Sequence, residues 1–356
     1  MKKNLLLFAA AVISAASCEQ VPDSNVINGC TQDNLTPISL RINGETTKAL
    51  TDNLSETEFN NIQVFLYRIL ENDEQEYDSY YSFTSDSKDE TEHTIYIDLA
   101  KKDIKSYKTV IYVNHPKITP GTLLEDWSYF SNEKTDNFQM TGSSTETVES
   151  LKTDPTINIS AVRQCSKVTV KKVAVDWTNS ANALKEFKIT GMYLMDVPGV
   201  LKNFHEIDPE TASDVELWQN KMGHTSNTHD TFLYDPITDG AITTEQAYEK
   251  SHIFYGYISP IDDYYTTDEW KPSGTRLVIE ASFDGKECYY AVKINGADGN
   301  APLTDIRNKH FIFENITITK PGADKPYSVL PEETGITVSV TVERWDEITN
   351  SNLVIQ

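Results

Sequence analysis

Basic residues, cysteines and long apolar runs are all scarce in this chain. Only 31 Lys and Arg stand against 54 Asp and Glu, so the 356 residues carry a formal charge of −23. A protein that binds nucleic acid needs an excess of Lys and Arg to neutralise phosphates, and a protein that lies on an anionic membrane surface needs them for the same reason. The composition therefore argues against both partners.

Cysteine is limited to Cys18, Cys30, Cys165 and Cys288. If Cys18 carries lipid, as argued below, three thiols remain, and three cannot form a fully paired set of disulfides. Whether Cys165 and Cys288 pair is left open by the sequence. The fold must therefore depend on an apolar core rather than on disulfides.

Motifs for catalysis and metal binding are also missing. The sequence contains no P-loop, G-x-S-x-G, G-x-G-x-x-G or H-E-x-x-H. His224 and His229 lie five positions apart, which does not suit a helical zinc pair, and we expect them in a surface loop. The acidic run 73–76 lacks the central glycine of a calcium loop. We therefore expect a protein that is not an enzyme and holds no cofactor or metal.

The N-terminus holds the one long apolar run. Residues 5–16 are apolar apart from Ser14, follow Lys2 and Lys3, and end at Ala15-Ala16-Ser17-Cys18. The run is shorter than the roughly 20 residues that span a bilayer and has the length of a signal-peptide core. Small residues directly before a cysteine resemble a bacterial lipobox, which predicts a signal peptide over 1–17 and lipid on Cys18. The alternative is an ordinary secretory signal in which Cys18 is incidental.

Alternating apolar and polar residues predict strands along most of the remaining chain. In the first strand, 36–43, Ile38, Leu40 and Ile42 share one face. Further strands are expected at 62–67, 94–99, 107–113, 156–159, 167–175 with a bulge at Lys171-Lys172, 187–195, 253–258, 277–283, 289–294, 311–319 and 335–345. Helical patterns are confined to 123–130 and 212–221. The stretch 140–155 is rich in Ser, Thr and Glu and is expected to hold no core residues, with a domain boundary just after it, near Arg163. Many short strands predict an all-β fold of two β-sandwich-like domains.

Several of these segments, in this order, resemble the FimA-like major fimbrial subunits of Bacteroidales, also called fimbrillins or type V pilins. The resemblance spans nearly the whole chain and is carried by the lipobox at Cys18, the segment from 38 to 67 with Lys48-Ala49 between its strands, and the segments 110–114, 162–170, 306–322 and 338–345. Ser166 stands where the family usually has Ala, and Lys48 stands where it usually has Arg. The resemblance implies transthyretin-like domains over 49–162 and 163–356.

The resemblance also implies how such a chain assembles. A trypsin-like protease would cut at Lys48-Ala49, with Arg41 as the rival site, and would remove the lipid-bearing segment 18–48 together with the first strand. The vacated groove would accept a donor strand from region 335–356 of the next subunit. The apolar candidates for that donor strand are Ile336, Val338, Val340, Val342, Leu353, Val354 and Ile355. Alternation alone equally allows 336–345 to be an ordinary terminal strand of its own domain.

The implied product is a cell-surface fimbria that supports adhesion or biofilm formation, made from an outer-membrane lipoprotein precursor. The implied partners are copies of the chain itself, other fimbrial subunits, the processing protease and a host protein or glycan receptor. An anchor or tip subunit is the alternative within the family, and a surface glycan-binding lipoprotein is the alternative outside it. The glycan-binding alternative needs exposed aromatic residues, for which the candidates are Tyr80, Tyr81, Tyr264, Tyr265 and Trp270. The other interpretation places these aromatics in turns or in the core.

Overall fold

The computed structural model describes residues 35–44, 58–84, 92–119, 127–129, 132–202, 217–225 and 229–345. Within these ranges the strands, in chain order, are β1 Thr36–Gly44, β2 Asn61–Leu70, β3 Gln75–Thr84, β4 Glu92–Ile97, β5 Ile104–Val113, β6 Trp127–Tyr129, β7 Met140–Thr147, β8 Thr156–Arg163, β9 Ser166–Val170, β10 Val173–Val175, β11 Phe187–Met195, β12 Val197–Pro198, β13 Val200–Lys202, β14 Trp218–Gln219, β15 Tyr234–Ile242, β16 His252–Gly256, β17 Arg276–Phe283, β18 Lys286–Lys293, β19 Lys309–Ile318 and β20 Ile336–Arg344. The α-helices in these ranges are α1 Val148–Thr153 and α2 Asp230–Leu233. The all-β prediction is therefore confirmed. None of the helices in these ranges is long and apolar enough to cross a membrane.

A seven-stranded sheet contains the first strands, in the order β3-β2-β5-β7-β8-β1-β4. Its two edges approach each other, because the Tyr81 hydroxyl on β3 donates to the Tyr96 carbonyl oxygen on β4 at 2.7 Å. The sheet is thus curled around one apolar cluster, to which β1, β2, β4, β5 and β8 all contribute buried side chains. This cluster is the core against which β1 packs.

The remaining large sheets enclose a second apolar cluster. One sheet has the order β10-β19-β9-β16, with β20 paired to β19, and the other has the order β15-β11-β17-β18. Val168, Phe254 and Phe311 from the first sheet and Ile189 and Leu277 from the second are buried in this common cluster. Two layers of sheet around one core form a sandwich, as the pattern predicted.

Most predicted strands are observed near their expected positions. The strand predicted over 187–195 coincides with β11, and 38–42 lies within β1. The expected irregularity at Lys171-Lys172 separates β9 from β10, and both of these strands pair with β19, at different points along it. Alternation identified these segments because each buries one face.

The two helix predictions were wrong where the structure describes them. Residues 127–129 form β6, and Trp218 and Gln219 form β14. The rest of 123–130 and of 212–221 lies partly outside the described residues. Strand β6 pairs with β13 and β14 pairs with β12, so partners distant in the chain override a weak local pattern.

The expectation that 140–155 holds no core residues was also wrong, because Met140, Val148 and Leu151 are buried in the core. This stretch forms β7 and α1, and β7 pairs along its full length with β5, from Met140 to Thr147. Helix α1 buries Leu151 and begins at Thr147, whose hydroxyl accepts a hydrogen bond from the Ser150 amide at 3.1 Å. A strand needs backbone partners rather than apolar side chains, so the Ser, Thr and Glu content of 140–147 concealed it.

Candidate assembly site

Strand β1 lies inside the seven-stranded sheet rather than at its edge. It pairs antiparallel with β4, from Thr36 opposite Ile97 to Arg41 opposite Glu92. It pairs parallel with β8, from Ser39 opposite Thr156 to Gly44 opposite Ala161. Because β4 ends the strand order, β1 is its ladder partner among the described strands. Strand β1 thus joins β4 to the rest of the sheet.

The inner face of β1 is completely covered. Ile38, Leu40 and Ile42 each have 0% of their surface exposed and belong to the cluster at the centre of the sheet. Burying a side chain of this size contributes about 1.5–3 kcal/mol, so the three together contribute roughly 5–9 kcal/mol. The predicted alternation is confirmed, and β1 fills a deep apolar slot.

The outer face of β1 is held by polar contacts to β4. The Ser39 hydroxyl donates to Glu92 Oε1 at 2.6 Å, and Arg41 Nε donates to the same oxygen at 3.4 Å. The hydrogen bond from Ser39, followed by the charge of Arg41, lowers the pKa of the Glu92 carboxyl below its usual value. The Arg41 backbone pairs with Glu92 on one side and with Asn158 on the other. A protease needs a free extended segment, so the folded sheet disfavours a cut at Arg41.

Cys18, Lys48 and Ala49 lie outside the described residues, as does Cys30. Both the lipidation and the cleavage at Lys48-Ala49 stay predictions.

Strand β20 contains the first four candidate donor residues, and it pairs with its own chain. It runs antiparallel to β19, from Ile336 opposite Ile318 to Arg344 opposite Lys309. Among the described strands β19 is its one neighbour, so its second edge carries no ladder. The apolar residues Ile336, Val338, Val340 and Val342 are partly buried and pack against the larger core cluster. Leu353, Val354 and Ile355 lie outside the described residues.

Trp345 follows β20 and is packed into the core. Its indole is stacked on the ring of Tyr255 at 5.4 Å between centroids and lies 5.2 Å from the Phe138 ring. The Arg163 guanidinium lies 4.8 Å from the Trp345 ring centre, within the range of a cation–π contact. The Trp345 amide donates to the Asn308 carbonyl oxygen at 2.9 Å.

Asn308 joins the same contacts. Its side-chain oxygen accepts a hydrogen bond from Arg163 Nη1 at 3.0 Å, and its amide donates to the Cys165 carbonyl oxygen at 3.1 Å. The left-handed backbone of Asn308, with φ 53°, is a conformation that Asn tolerates better than most residues. Three segments that the resemblance singled out separately, around 163, 308 and 345, therefore meet at one point.

A buried carboxyl lies close to this point and was not found from the sequence. Glu133 is 1% exposed and accepts hydrogen bonds from the Tyr257 hydroxyl at 2.7 Å, the Gln139 amide at 2.9 Å and Gln139 Nε2 at 3.0 Å. Burial raises the pKa of the Glu133 carboxyl to about 7. In the sequence Glu133 stands among polar residues and resembles a solvated turn, so no local signal marks it.

Both described cysteines are free. Cys165 and Cys288 are buried thiols that do not form a disulfide with each other. Burial raises the pKa of both thiols, which lowers their reactivity. The question that the sequence left open is thereby answered, and the fold depends on its core.

The histidines expected in a surface loop are more enclosed than predicted. His229 is buried beside Phe232, and His224 is stacked on Tyr234 with ring centroids 3.9 Å apart. His224 lies outside the helices and strands, as predicted, but Phe232 and Tyr234, three and ten positions further along the chain, cover the two rings, so the expected surface position is wrong for the buried His229. In the part of the chain that the structure describes, no group of three or more His, Cys, Asp or Glu side chains is arranged to hold a metal ion.

The candidate aromatic residues do not form an exposed face. Tyr80, Tyr81 and Tyr265 are buried. The Tyr265 hydroxyl and Trp270 Nε1 both donate to Asp196 Oδ1, at 3.0 and 3.1 Å. These side chains therefore support the core or tie the loop around 265–273 to a buried carboxylate. At these positions the structure has no exposed aromatic face of the kind that the glycan-binding alternative needs.

Comparisons with known proteins agree with this architecture. No family model matches the sequence, and no curated protein is significantly similar to it. Three solved structures each superpose on 87% of this chain. A candidate cell adhesion protein from Parabacteroides distasonis is 14% identical, with 100% of its own length covered and a TM-score of 0.57. A fimbrilin, FimA, from Porphyromonas gingivalis is 16% identical, with 97% of its length covered and a TM-score of 0.56, and a candidate cell adhesion protein from Bacteroides eggerthii is 16% identical, with 95% of its length covered and a TM-score of 0.54. At these identities the likeness concerns the fold. The chain therefore has the all-β fold of these fimbrilin and adhesion-protein structures, as the resemblance predicted.

Proposed function

We propose that this chain is the precursor of a fimbrial subunit at the cell surface, a structural protein that polymerises by exchanging β1 for a C-terminal strand of the next subunit. The observation that carries the proposal is the place of β1 inside the seven-stranded sheet, between β4 and β8, with Ile38, Leu40 and Ile42 completely buried. A strand held in this way leaves a long apolar slot when it is removed. The FimA-like fold supports the same function.

The proposed maturation begins with lipid on Cys18, which holds the precursor at the outer membrane. A trypsin-like protease then cuts at Lys48-Ala49, in the segment 45–57 between β1 and β2. The Arg41 backbone is paired on both sides, which disfavours a cut there and makes Lys48 the proposed site. The released segment 18–48 carries β1 with it.

Loss of β1 strongly favours the addition of a new strand in its place. Strand β4 and residues 156–161 of β8 lose their ladder to β1, and the slot of Ile38, Leu40 and Ile42 opens. Unpaired strand edges with an apolar groove favour the addition of an extended segment. Refilling the slot returns roughly 5–9 kcal/mol of apolar burial and about 1 kcal/mol per ladder hydrogen bond. Association costs about 4–15 kcal/mol, so contacts beside the slot set the lifetime of the joint.

The donor strand is proposed to come from residues 335–356. Ile336, Val338, Val340 and Val342 must leave β19 before they can be donated, because β20 pairs with β19 in its own chain. Leu353, Val354 and Ile355 follow Trp345 in the sequence, after the end of β20. We therefore favour the last three as the part that enters the slot. The proposed domains, 49–162 and 163–356, are supported by the division of the core into two large clusters.

Trypsin treatment of the purified precursor tests the proposal. We expect the treated protein to form ladders of detergent-resistant oligomers on a gel, because each joint is a completed sheet. The variant Lys48→Gln should stay monomeric, whereas the matched variant Arg41→Gln should polymerise like the wild type. Ladders formed equally by Lys48→Gln would contradict the proposed cleavage, and the absence of ladders from the cut wild type would contradict strand exchange.

A further inference from the structure

The chain crosses from one core cluster to the other at residues 138–140. Phe138 belongs to the larger cluster, where its ring centroid lies 5.0 Å from that of Tyr255, and Met140 belongs to the cluster inside the seven-stranded sheet. Gln139 between them is completely buried. Residues 132–139, which we call the crossing segment, therefore end at the boundary between the two cores.

Glu133 fastens the crossing segment to the larger core. Its carboxyl accepts hydrogen bonds from the backbone amide and from Nε2 of Gln139, at 2.9 and 3.0 Å, within the segment. It also accepts one at 2.7 Å from the hydroxyl of Tyr257, a residue of the larger cluster that follows β16. One buried side chain thus joins the crossing segment to a residue 124 positions away.

The hydrogen-bonding groups that face Glu133 in the described chain are uncharged. The Tyr257 hydroxyl and the Cys165 thiol come from two other elements, and burial raises the pKa of each well above its usual value, so both keep their protons near neutral pH. Arg163, two positions before Cys165, donates to Asn308. The charged side chains of the crossing segment itself that are exposed to solvent are Lys134 and Asp136.

We propose that Glu133 is a proton-controlled tie between the two cores: the neutral carboxyl keeps the crossing segment fastened to Tyr257, and ionisation favours an open form in which the segment leaves the larger core. A carboxylate that is buried among neutral groups costs free energy, which contact with water relieves. Opening the segment brings Glu133 into water, so the open form gains population as the proton is lost.

The tie acts in mildly acidic to neutral solution. Burial raises the pKa of the Glu133 carboxyl from 4.5 to about 7, so the open form gains population between these values and levels off above them. Above about pH 7, one of the contacts that fix the two cores relative to each other is therefore weakest. The tie goes beyond the proposed function and does not depend on the removal of β1.

Hydrogen exchange of the uncut full chain between pH 5 and pH 8 tests the tie. Rates are corrected for the intrinsic pH dependence of exchange, and peptides from 132–139 are compared with peptides from β17, which lies inside its sheet. The Gln139 amide donates to Glu133 and reports the tie directly. We expect 132–139 to exchange faster than β17 at each pH, with a rise of about ten- to a hundredfold from pH 5 to pH 7.

Three variants assign that rise to Glu133. Glu133→Gln keeps an oxygen for Tyr257 but cannot ionise, so its exchange should stay at the low level of wild type at pH 5 throughout. The matched control Asp196→Asn neutralises another buried carboxyl, which accepts from Ser273, and should leave the rise unchanged. Tyr257→Phe removes a donor that lowers the pKa of Glu133, so its rise should continue to a higher pH than in wild type, and it serves if Glu133→Gln does not fold.

Three results would overturn the tie. The first is corrected exchange in 132–139 that does not change with pH, and the second is an equal rise in Glu133→Gln. The third is exchange of 132–139 at the rate of β17 at every pH, because Glu133 would then be exposed only when the whole chain unfolds. Each would leave the proposed strand exchange standing, since ladder formation after trypsin treatment is measured separately.

Discussion

The guanidinium of Arg163 lies 4.8 Å from the centre of the Trp345 ring, and both residues are buried. Arg163 ends β8, the strand that carries the parallel ladder to β1, and Trp345 follows β20 at the other end of the chain. The strand that pairs with β1 and the residue that follows β20 are therefore linked through two side chains. Substitutions at these positions separate the energetics of folding from those of assembly.

Truncation of the β1 side chains should destabilise the precursor. We expect Leu40→Ala to lower the free energy of unfolding by about 2–5 kcal/mol, since it leaves a cavity in a completely buried position. The neighbouring Arg41→Ala should cost less than about 1 kcal/mol, because the Arg41–Glu92 pair is exposed. Urea unfolding of both variants measures the difference, and equal losses would show that β1 does not occupy the described slot.

Glu133 should give the protein a stability that falls as pH rises. The pKa of Glu133 is raised from 4.5 to about 7 in the folded chain, so between these values the folded state holds a proton that the unfolded state has released. Its contribution is complete below pH 4.5 and is lost by about pH 7, with a size of about 3 kcal/mol at 1.36 kcal/mol per unit. We expect Glu133→Gln to remove most of this fall in stability, as measured by the melting temperature in thermal unfolding between pH 4.5 and 8.

Glu92 provides a control of opposite sign for that experiment. Its pKa is lowered by Ser39 and Arg41, so its contribution is present above the unfolded pKa and is lost as pH falls through the folded pKa. Glu92→Gln should therefore alter stability in acid and leave the slope between pH 4.5 and 7 unchanged. If Glu92→Gln removed that slope and Glu133→Gln did not, the assignment to Glu133 would be wrong.

Trp345 should be the anchor of the C-terminal strand. Replacing this buried indole in Trp345→Ala should cost about 3–5 kcal/mol and make β20 more accessible to a protease. Trp345→Phe keeps the aromatic contacts to Tyr255 and Phe138 and should cost less. Unfolding curves and limited proteolysis of the two variants measure these effects. A Trp345→Ala protein with wild-type stability would show that the indole does not hold the strand.

Removal of the last residues should abolish assembly and preserve the fold. A chain that lacks residues 350–356 loses Leu353, Val354 and Ile355 but retains β20 and Trp345. We expect a monomer with the wild-type circular dichroism spectrum and melting temperature that forms no fibres after trypsin treatment, as seen by electron microscopy. The substitution Ser351→Ala, in the polar part of the tail, is the matched control and should still form fibres. Fibres from the truncated chain would contradict donation by this segment.

The sequence predicted the strands in which apolar and polar residues alternate, and it missed those that are defined by pairing with other strands. Ile38, Leu40 and Ile42 alternate because one face of β1 is buried, so the strand and its inner face were predicted correctly. Strand β7 has few apolar residues and is defined by its ladder to β5, so it was missed. The place of β1 between β4 and β8 depends on pairings across the whole sheet, and no window of the sequence contains that information.

For the buried polar residues, too, the sequence shows separate segments but not which of them meet in the fold. The segments around Arg163, Asn308 and Trp345 were noticed through a resemblance, but their meeting at one point depends on the packing of β8, β19 and β20. Glu133 escaped notice because the Tyr257 hydroxyl that binds it comes from a distant part of the chain, and no sequence signal shows that Gln139, six positions on, hydrogen-bonds to it. A charged residue in a polar stretch looks solvated until its neighbours in space are known.

The mass of the subunit in assembled fimbriae tests the central claim most directly. Fibres purified from the cell surface can be dissociated and the subunit measured by intact mass spectrometry with N-terminal sequencing. The account predicts a chain that begins at Ala49 and has lost Cys18 together with Ile38, Leu40 and Ile42. A polymerised subunit that still contains residues 38–42 would contradict it, because β1 would then occupy the slot that the next subunit must fill.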